Sequence, residues 1–151
     1  MPRKARKLQI TRTDNMLDIR LSSHLENIDA ACRVVTRYLL HRLAAVQRPD
    51  QLFAVNLVMR EGLTNAVRHG NKNDITKDVR LTLKIVDGVS LCMEIEDQGN
   101  GFDWRKHKGS ELPLAADHGR GIPIMKTYFT RYAYNEKGNI LFLHMDFTSR
   151  I

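Results

Sequence analysis

The chain has 151 residues, which suits one globular domain and leaves little room for a second. Hydrophobic residues make up 42% and charged residues 27%, a balance that argues against disorder over most of the length. No apolar run reaches the roughly 18 to 20 residues of a membrane helix, and the basic start has no apolar segment behind it. Neither a membrane span nor a secretory signal is therefore expected. The formal net charge is +7, but Arg3, Lys4, Arg6 and Lys7 stand in the first seven residues with no acid among them. The basic character is largely that of a tail, 1–7, of the kind that is usually solvated. Cys32 and Cys92 lie far apart, so no disulfide framework is expected, and a reducing cytoplasm fits best.

Leu8 to Thr11 and Met16 to Leu21 read as short extended pieces, the second alternating through Leu17, Ile19 and Leu21. Ser22 or Ser23 is placed to cap a helix from His24 to Val46, whose apolar positions Leu25, Ile28, Ala31, Val35, Leu39 and Leu43 step by three or four. Pro49 interrupts, and Asp50 is the expected cap of a second helix to about His69, with Leu52, Val55, Met59, Leu63 and Ala66 as its buried stripe. Gly70, Asn71, Asn73 and Asp74 supply the turn that ends it. Val79–Val86 and Ser90–Glu96 alternate around Asp87-Gly88 as a hairpin. The stretch from Asp97 to His118 lacks a clean period, as a functional lid would. Ile122 to Phe129 reads as a short helix, and Arg131–Glu136 with Ile140–Phe147 as a second hairpin across Lys137-Gly138-Asn139. Helices early and strands late predict an α+β fold, a two-layer sandwich with helices on one face of a mainly antiparallel mixed sheet.

Three polar features stand out. Glu61, Asn65 and His69 recur every four residues and form a line on the flank of the second helix's apolar stripe, with Arg68 beside them. A ligand pocket can be lined this way, and so can an ordinary solvated flank with i,i+4 contacts. Asp97-Gln-Gly-Asn-Gly101 follows a strand directly; its glycines let the backbone bend and approach a ligand, and its Asp can accept from an amine, but turns use the same residues. Gly119-Arg120-Gly121 precedes the last helix, where backbone amides and a cation can cradle phosphate, or where a hinge can sit. A phosphate-binding loop with Gly-Lys-Ser/Thr, a complete dinucleotide fingerprint, a eukaryotic-type kinase signature and zinc-ligand spacings are all missing from the sequence. His24, His41 and His144 are read as residues without a role.

The order of these features resembles the GHKL-type ATP-binding domain found in gyrase, histidine kinases and MutL. Within it, the chain is most similar to the bacterial anti-sigma-factor serine/threonine kinases of the RsbW/SpoIIAB type. The resembling stretches are Arg60-Glu-Gly-Leu-Thr-Asn-Ala-Val-Arg-His-Gly-Asn71, Asp97-Gln-Gly-Asn-Gly-Phe102, His118-Gly-Arg-Gly-Ile-Pro-Ile-Met125 and Tyr134-Asn-Glu-Lys-Gly-Asn139. The resemblance implies a Bergerat, or histidine-kinase-like ATPase, fold over 8–151, with an ATP lid at about 98–118. It implies Glu61 as the general base, Asn65 as the Mg²⁺ ligand, and Asp97 as the carboxylate that binds the adenine amino group. Gly99 and Gly101 would give backbone access to the base, Gly119 and Gly121 would lie under the phosphates, and Arg68 and His69 would touch phosphate and base. ATP and Mg²⁺ are the implied cofactors. The implied partners are a STAS-type anti-anti-sigma factor and a sigma factor, with a homodimer as the expected assembly.

One position departs from that pattern. The basic residue that family members carry shortly before the Gly-x-Gly is replaced by Ala116-Asp117-His118, so Arg120 or Arg68 would have to supply the charge. This leaves a second reading, a partner-switching module that binds ATP for shape and transfers nothing. A nucleic-acid binder using the basic tail is opposed by the 7% aromatic content and the lack of a reading motif. A detached histidine-kinase domain is opposed by the absence of a helix pair carrying a phosphoacceptor histidine.

Overall fold

The computed structural model describes residues 8–43, 48–101 and 126–148. Its six strands are β1 (Gln9–Arg12), β2 (Met16–Ser22), β3 (Asp78–Val86), β4 (Ser90–Glu96), β5 (Arg131–Tyr134) and β6 (Ile140–Asp146). Between β2 and β3 run two helices, α1 (Leu25–Arg42) and α2 (Pro49–Asn65), the second continuing as a π turn over Ala66–Gly70. The strands form one sheet in the order β1-β2-β3-β4-β6-β5, and each neighbouring pair is antiparallel. This is the α+β sandwich the sequence pattern predicts.

Strict alternation builds the core. Leu17, Ile19 and Leu21 of β2 are buried, as are Val79, Leu81, Leu83 and Ile85 of β3, Leu91, Met93 and Ile95 of β4, and Leu141, Leu143 and Met145 of β6. They join Ile28, Ala31, Val35 and Leu39 of α1 and Val55, Val58, Met59 and Leu63 of α2 in a single cluster. The intervening strand residues make a polar face, where Arg80 forks onto the Asp18 carboxylate, its Nε 3.0 Å from Oδ2. No helix among the described residues is long and apolar enough to cross a membrane.

Several helix ends differ from the sequence expectation. Ser22 and Ser23 do not cap α1, because both are buried at the end of β2. The Ser23 hydroxyl donates to Lys77 O at 2.7 Å, and the Ser22 hydroxyl accepts from Asn27 Nδ2 at 2.9 Å. His24 takes the capping position with extended backbone, its Nδ1 accepting from the Glu26 amide at 3.2 Å, so this histidine does have a role. At its other end α1 closes at Arg42, and 44–47 lie outside the described residues. Pro49 does not interrupt but opens α2 from its first turn, with Arg48 rather than Asp50 at the cap. A proline there loses nothing, since its missing N–H would have had no intrahelical partner. Asp50 instead sits in the first turn, where its charge favours the helix dipole, 3.3 Å from the Arg48 guanidinium.

Both hairpins form. Asp87 and Gly88 have φ of 53° and 71°, and Val89 N–H closes the first turn on Val86 O at 3.1 Å. In the second, β5 stops at Tyr134, shorter than expected. Asn135 closes the hairpin, its N–H donating to Ile140 O at 3.0 Å while its Oδ1 accepts from the amides of Gly138, Asn139 and Ile140. Of the expected helix at 122–129, residues 126–128 are helical and 122–125 lie outside the described residues.

Leu83 is fully buried in the central strand β3. Leu83→Ala is expected to cost about 2–5 kcal/mol of folding stability, read from the midpoint of a denaturant titration.

Candidate functional site

One end of the sandwich gathers three separate stretches of chain. The first is the end of α2. Here the helical ladder widens into the π turn, and the Asn71 amide reaches back to Ala66 O at 2.8 Å. The sequence period reads straight through to His69 and gives no sign of this change, because one widened turn leaves the apolar stripe intact.

The second stretch leaves β4 at Asp97, 9% exposed. The Gly99 amide donates to Asp97 Oδ1 at 2.8 Å in a tight turn. The two glycines that meet there are sterically required. A Cβ on Gly70 would strike the Asp97 carboxylate, and one on Gly99 would strike the Gly70 carbonyl. Gly101 has φ of 78°, and a Cβ there would strike the Lys137 carbonyl.

The third stretch is the β5–β6 turn. Asn139 O accepts from the Asp97 amide at 3.0 Å, and Asn139 Nδ2 donates to Asp97 O at 3.2 Å. Asp97 is therefore held through its backbone on one side and its carboxylate on the other.

Together these stretches enclose a cavity of about 200 Å³, its lining far more apolar than polar. Ile95, Ala66 and Leu141 supply apolar wall, while Asn65, His69, Asp97 and Asn139 bring polar atoms to it. A mostly apolar slot with a few convergent polar groups is the general form of a small-molecule site. Burial raises the Asp97 carboxyl pKa above its usual range by disfavouring the charged form; the Gly99 amide pulls the other way, Glu96 adds to the rise, and Lys137 and Lys77 oppose it. The Tyr134 phenol, also at the cavity, is pushed up by burial and by the Asp97 charge.

The residues singled out in the sequence divide into three groups. Asn65, His69, Asp97 and Gly101 line the cavity, and Gly99 is buried behind Asp97. Glu61 is half-buried one turn earlier on α2, and Arg68 is exposed in the π turn; neither is in the cavity lining. Gly119, Arg120 and Gly121 lie outside the described residues, as does the segment 102–118 of the expected lid. By sequence alone Asn71 reads as turn chemistry, and Tyr134 and Asn139 carry no individual role. Strand register brings these last two to the cavity; they bound the last of the resembling stretches, but nothing in that stretch marks them as cavity residues.

The profile of the histidine kinase-like ATPase domain matches residues 21–145, most of the chain and all three stretches. A protein named anti-sigma F factor from Geobacillus sp. (strain WCH70) is 29% identical over 94 residues, 60% of this chain and 64% of that protein. Its namesake from Geobacillus kaustophilus (strain HTA426) is 27% identical over 118 residues, 76% of this chain and 78% of that protein. The chain thus spans just under two thirds of the first relative's length and more of the second's.

The raised Asp97 pKa has a consequence for stability. Between the unfolded and folded pKa values the native state binds more protons, so raising the pH through that window lowers stability. Asp97→Asn, which keeps an acceptor for Gly99, is expected to melt higher than the parent at pH 7. The gap should close as the pH falls below about 4, and thermal melts across this range measure it.

Proposed function

The chain belongs to the histidine kinase-like ATPase domain family, and from that premise we propose that it is an ATP-binding serine/threonine protein kinase acting as an anti-sigma factor. In this reading it phosphorylates a STAS-type anti-anti-sigma antagonist and, when free of that antagonist, sequesters a sigma factor as a cytoplasmic homodimer. Residues 8–151 form the ATP-binding domain, with 98–118 as its lid and 1–7 as a tail. The observation that carries the reading is the convergence of Asn65, His69 and Asp97 on one cavity within the family match. The relatives' shared name supports the regulatory half of it.

The geometry and the family support a role for each residue in this reading. Asp97, with Oδ1 held by Gly99, offers its second oxygen to the exocyclic amine of adenine between Ala66, Ile95 and Leu141. The Asn65 carboxamide oxygen is a hard donor of the kind Mg²⁺ takes, and a single protein ligand is ordinary for a Mg²⁺ shared with nucleotide phosphates and water. The metal would neutralise charge on the transferring phosphoryl group. Glu61, four residues before Asn65 on the same flank, would take the proton from the attacking serine hydroxyl. Gly119 and Gly121 would pass beneath the phosphates, with Arg120 or Arg68 supplying positive charge.

Asp117 in place of a basic residue favours a second reading, an ATP-dependent partner-binding regulator without transfer. Radiolabelled ATP and the cognate antagonist separate the two: stoichiometric phosphoserine excludes the second, and its absence excludes the kinase.

Calorimetric titration of Mg-ATP is expected to give saturable binding to the parent chain that Asp97→Ala abolishes. Glu61→Gln is expected to retain nucleotide binding while phosphoryl transfer falls by at least about a hundredfold. Transfer at the parental rate in that variant would remove Glu61 from the role of base.

A further inference from the structure

Asn71 is 1% exposed, yet its side chain makes three hydrogen bonds to three different parts of the chain. Nδ2 donates to Ser23 Oγ at 2.7 Å and to Asp78 O at 3.0 Å. Oδ1 accepts from the Gln98 amide at 2.8 Å. Gln98 returns the contact, its Oε1 accepting from the Asp78 amide at 2.7 Å, so Asn71, Gln98 and Asp78 form a closed ring. Only a carboxamide can donate twice and accept once here; an aspartate lacks the donors and a leucine lacks both.

The placement of this ring matters more than its existence. Gln98 follows Asp97 directly, so Asn71 takes the N–H of the same peptide whose carbonyl, Asp97 O, accepts from Asn139, and the two asparagines grip that peptide from opposite sides. Asn71 itself closes the π turn whose preceding residues, Asn65, Ala66, His69 and Gly70, form the opposite wall of the cavity. One buried side chain therefore ties the helix wall to the Asp97 wall, beside the Gly70–Gly99 contact that limits how near they come.

We propose that Asn71 is a positioning residue for the base end of the nucleotide site, holding Asp97 at the distance from α2 that an adenine ring requires. This rests on the nucleotide-site reading above. Asn71 touches no substrate in this role, and its effect passes through Asp97. Loss of the Gln98 anchor lets the Asp97 loop drift from the base, which weakens every adenine ligand alike and leaves the phosphate end untouched.

The test compares ATP, ADP and adenosine binding to the full chain, to Asn71→Ala and to Ser23→Ala. Both variants break the Ser23–Asn71 bond, but only the first removes the anchor on Gln98. Asn71→Ala is expected to weaken all three ligands by a common factor of roughly ten, whereas Ser23→Ala lowers the melting temperature and leaves affinity within about twofold. Parental affinity in Asn71→Ala, a loss confined to ATP, or an equal loss in Ser23→Ala would each overturn the proposal. Failure of the parent chain to bind any of the three ligands would overturn the nucleotide-site reading, and this proposal with it. Should Asn71→Ala not fold, hydrogen exchange of the Gln98 amide in the parent chain decides. Slow exchange that slows further with adenosine supports the proposal, and exchange at the rate of an open loop overturns it.

Discussion

Two pieces of backbone come together at one end of the sandwich, the π turn at the end of α2 and the loop that leaves β4. Gly70 and Gly99 meet there with no room for a Cβ on either, and the Asp97 carboxylate fills the remaining space. Much else follows from that contact. It sets how far α2 can sit above the sheet at this end, and it puts the helix's last polar residues across from a carboxylate. The π turn belongs to the same constraint. Widening the last turn moves Gly70 out toward the loop without turning Leu63, Ala66 or Val67 away from the core, where all three are buried.

A carboxylate at that depth works against folding, since burial disfavours its charge and the nearest acid, Glu96, adds to the cost. The Gly99 amide offsets part of this by hydrogen bonding to Oδ1. No basic side chain forms an ion pair with Asp97 among the described residues; Lys137 and Lys77 act on it only through space. A side chain kept in an unfavourable place, with its backbone gripped from both sides, is the local inconsistency expected of a binding site rather than of a scaffold.

Most of the scaffold was legible because it obeys simple periods. The alternation in Val79–Val86 and Ser90–Glu96, and the positive-φ pair Asp87-Gly88 between them, specify their hairpin almost without context. The helix starts were not, for a physical reason. Ser22 and Ser23 are better cappers than His24, but strand pairing and Lys77 O claim them first, so a tertiary contact overrides a local preference. In the site, Asp97, Asn65 and the glycines were visible as residue types in an order. Asn71 looked like turn punctuation because its partners, Ser23, Asp78 and Gln98, are 48, 7 and 27 residues away in sequence. No window of sequence contains that network.

Tyr134 and Asn139 show how the scaffold and the site are joined. The pairing of β4 with β6 sets Glu96 opposite Ile140, so the residue after one strand, Asp97, must lie beside the residue before the other, Asn139. The same register puts Ile95 opposite Leu141, and both side chains are buried at the cavity wall. A slip of one residue would turn Leu141, Leu143 and Met145 out to solvent and at the same time carry Asn139 off Asp97. The hydrophobic cost of exposing three core side chains is several kcal/mol, far more than the two backbone-to-Asn139 hydrogen bonds are worth. The core alternation is therefore what locates this edge of the site, and the hydrogen bonds only refine it. Asn71 has no such register behind it: it lies in a turn, outside any strand, and its carboxamide aligns the opposite edge together with the Gly70–Gly99 contact.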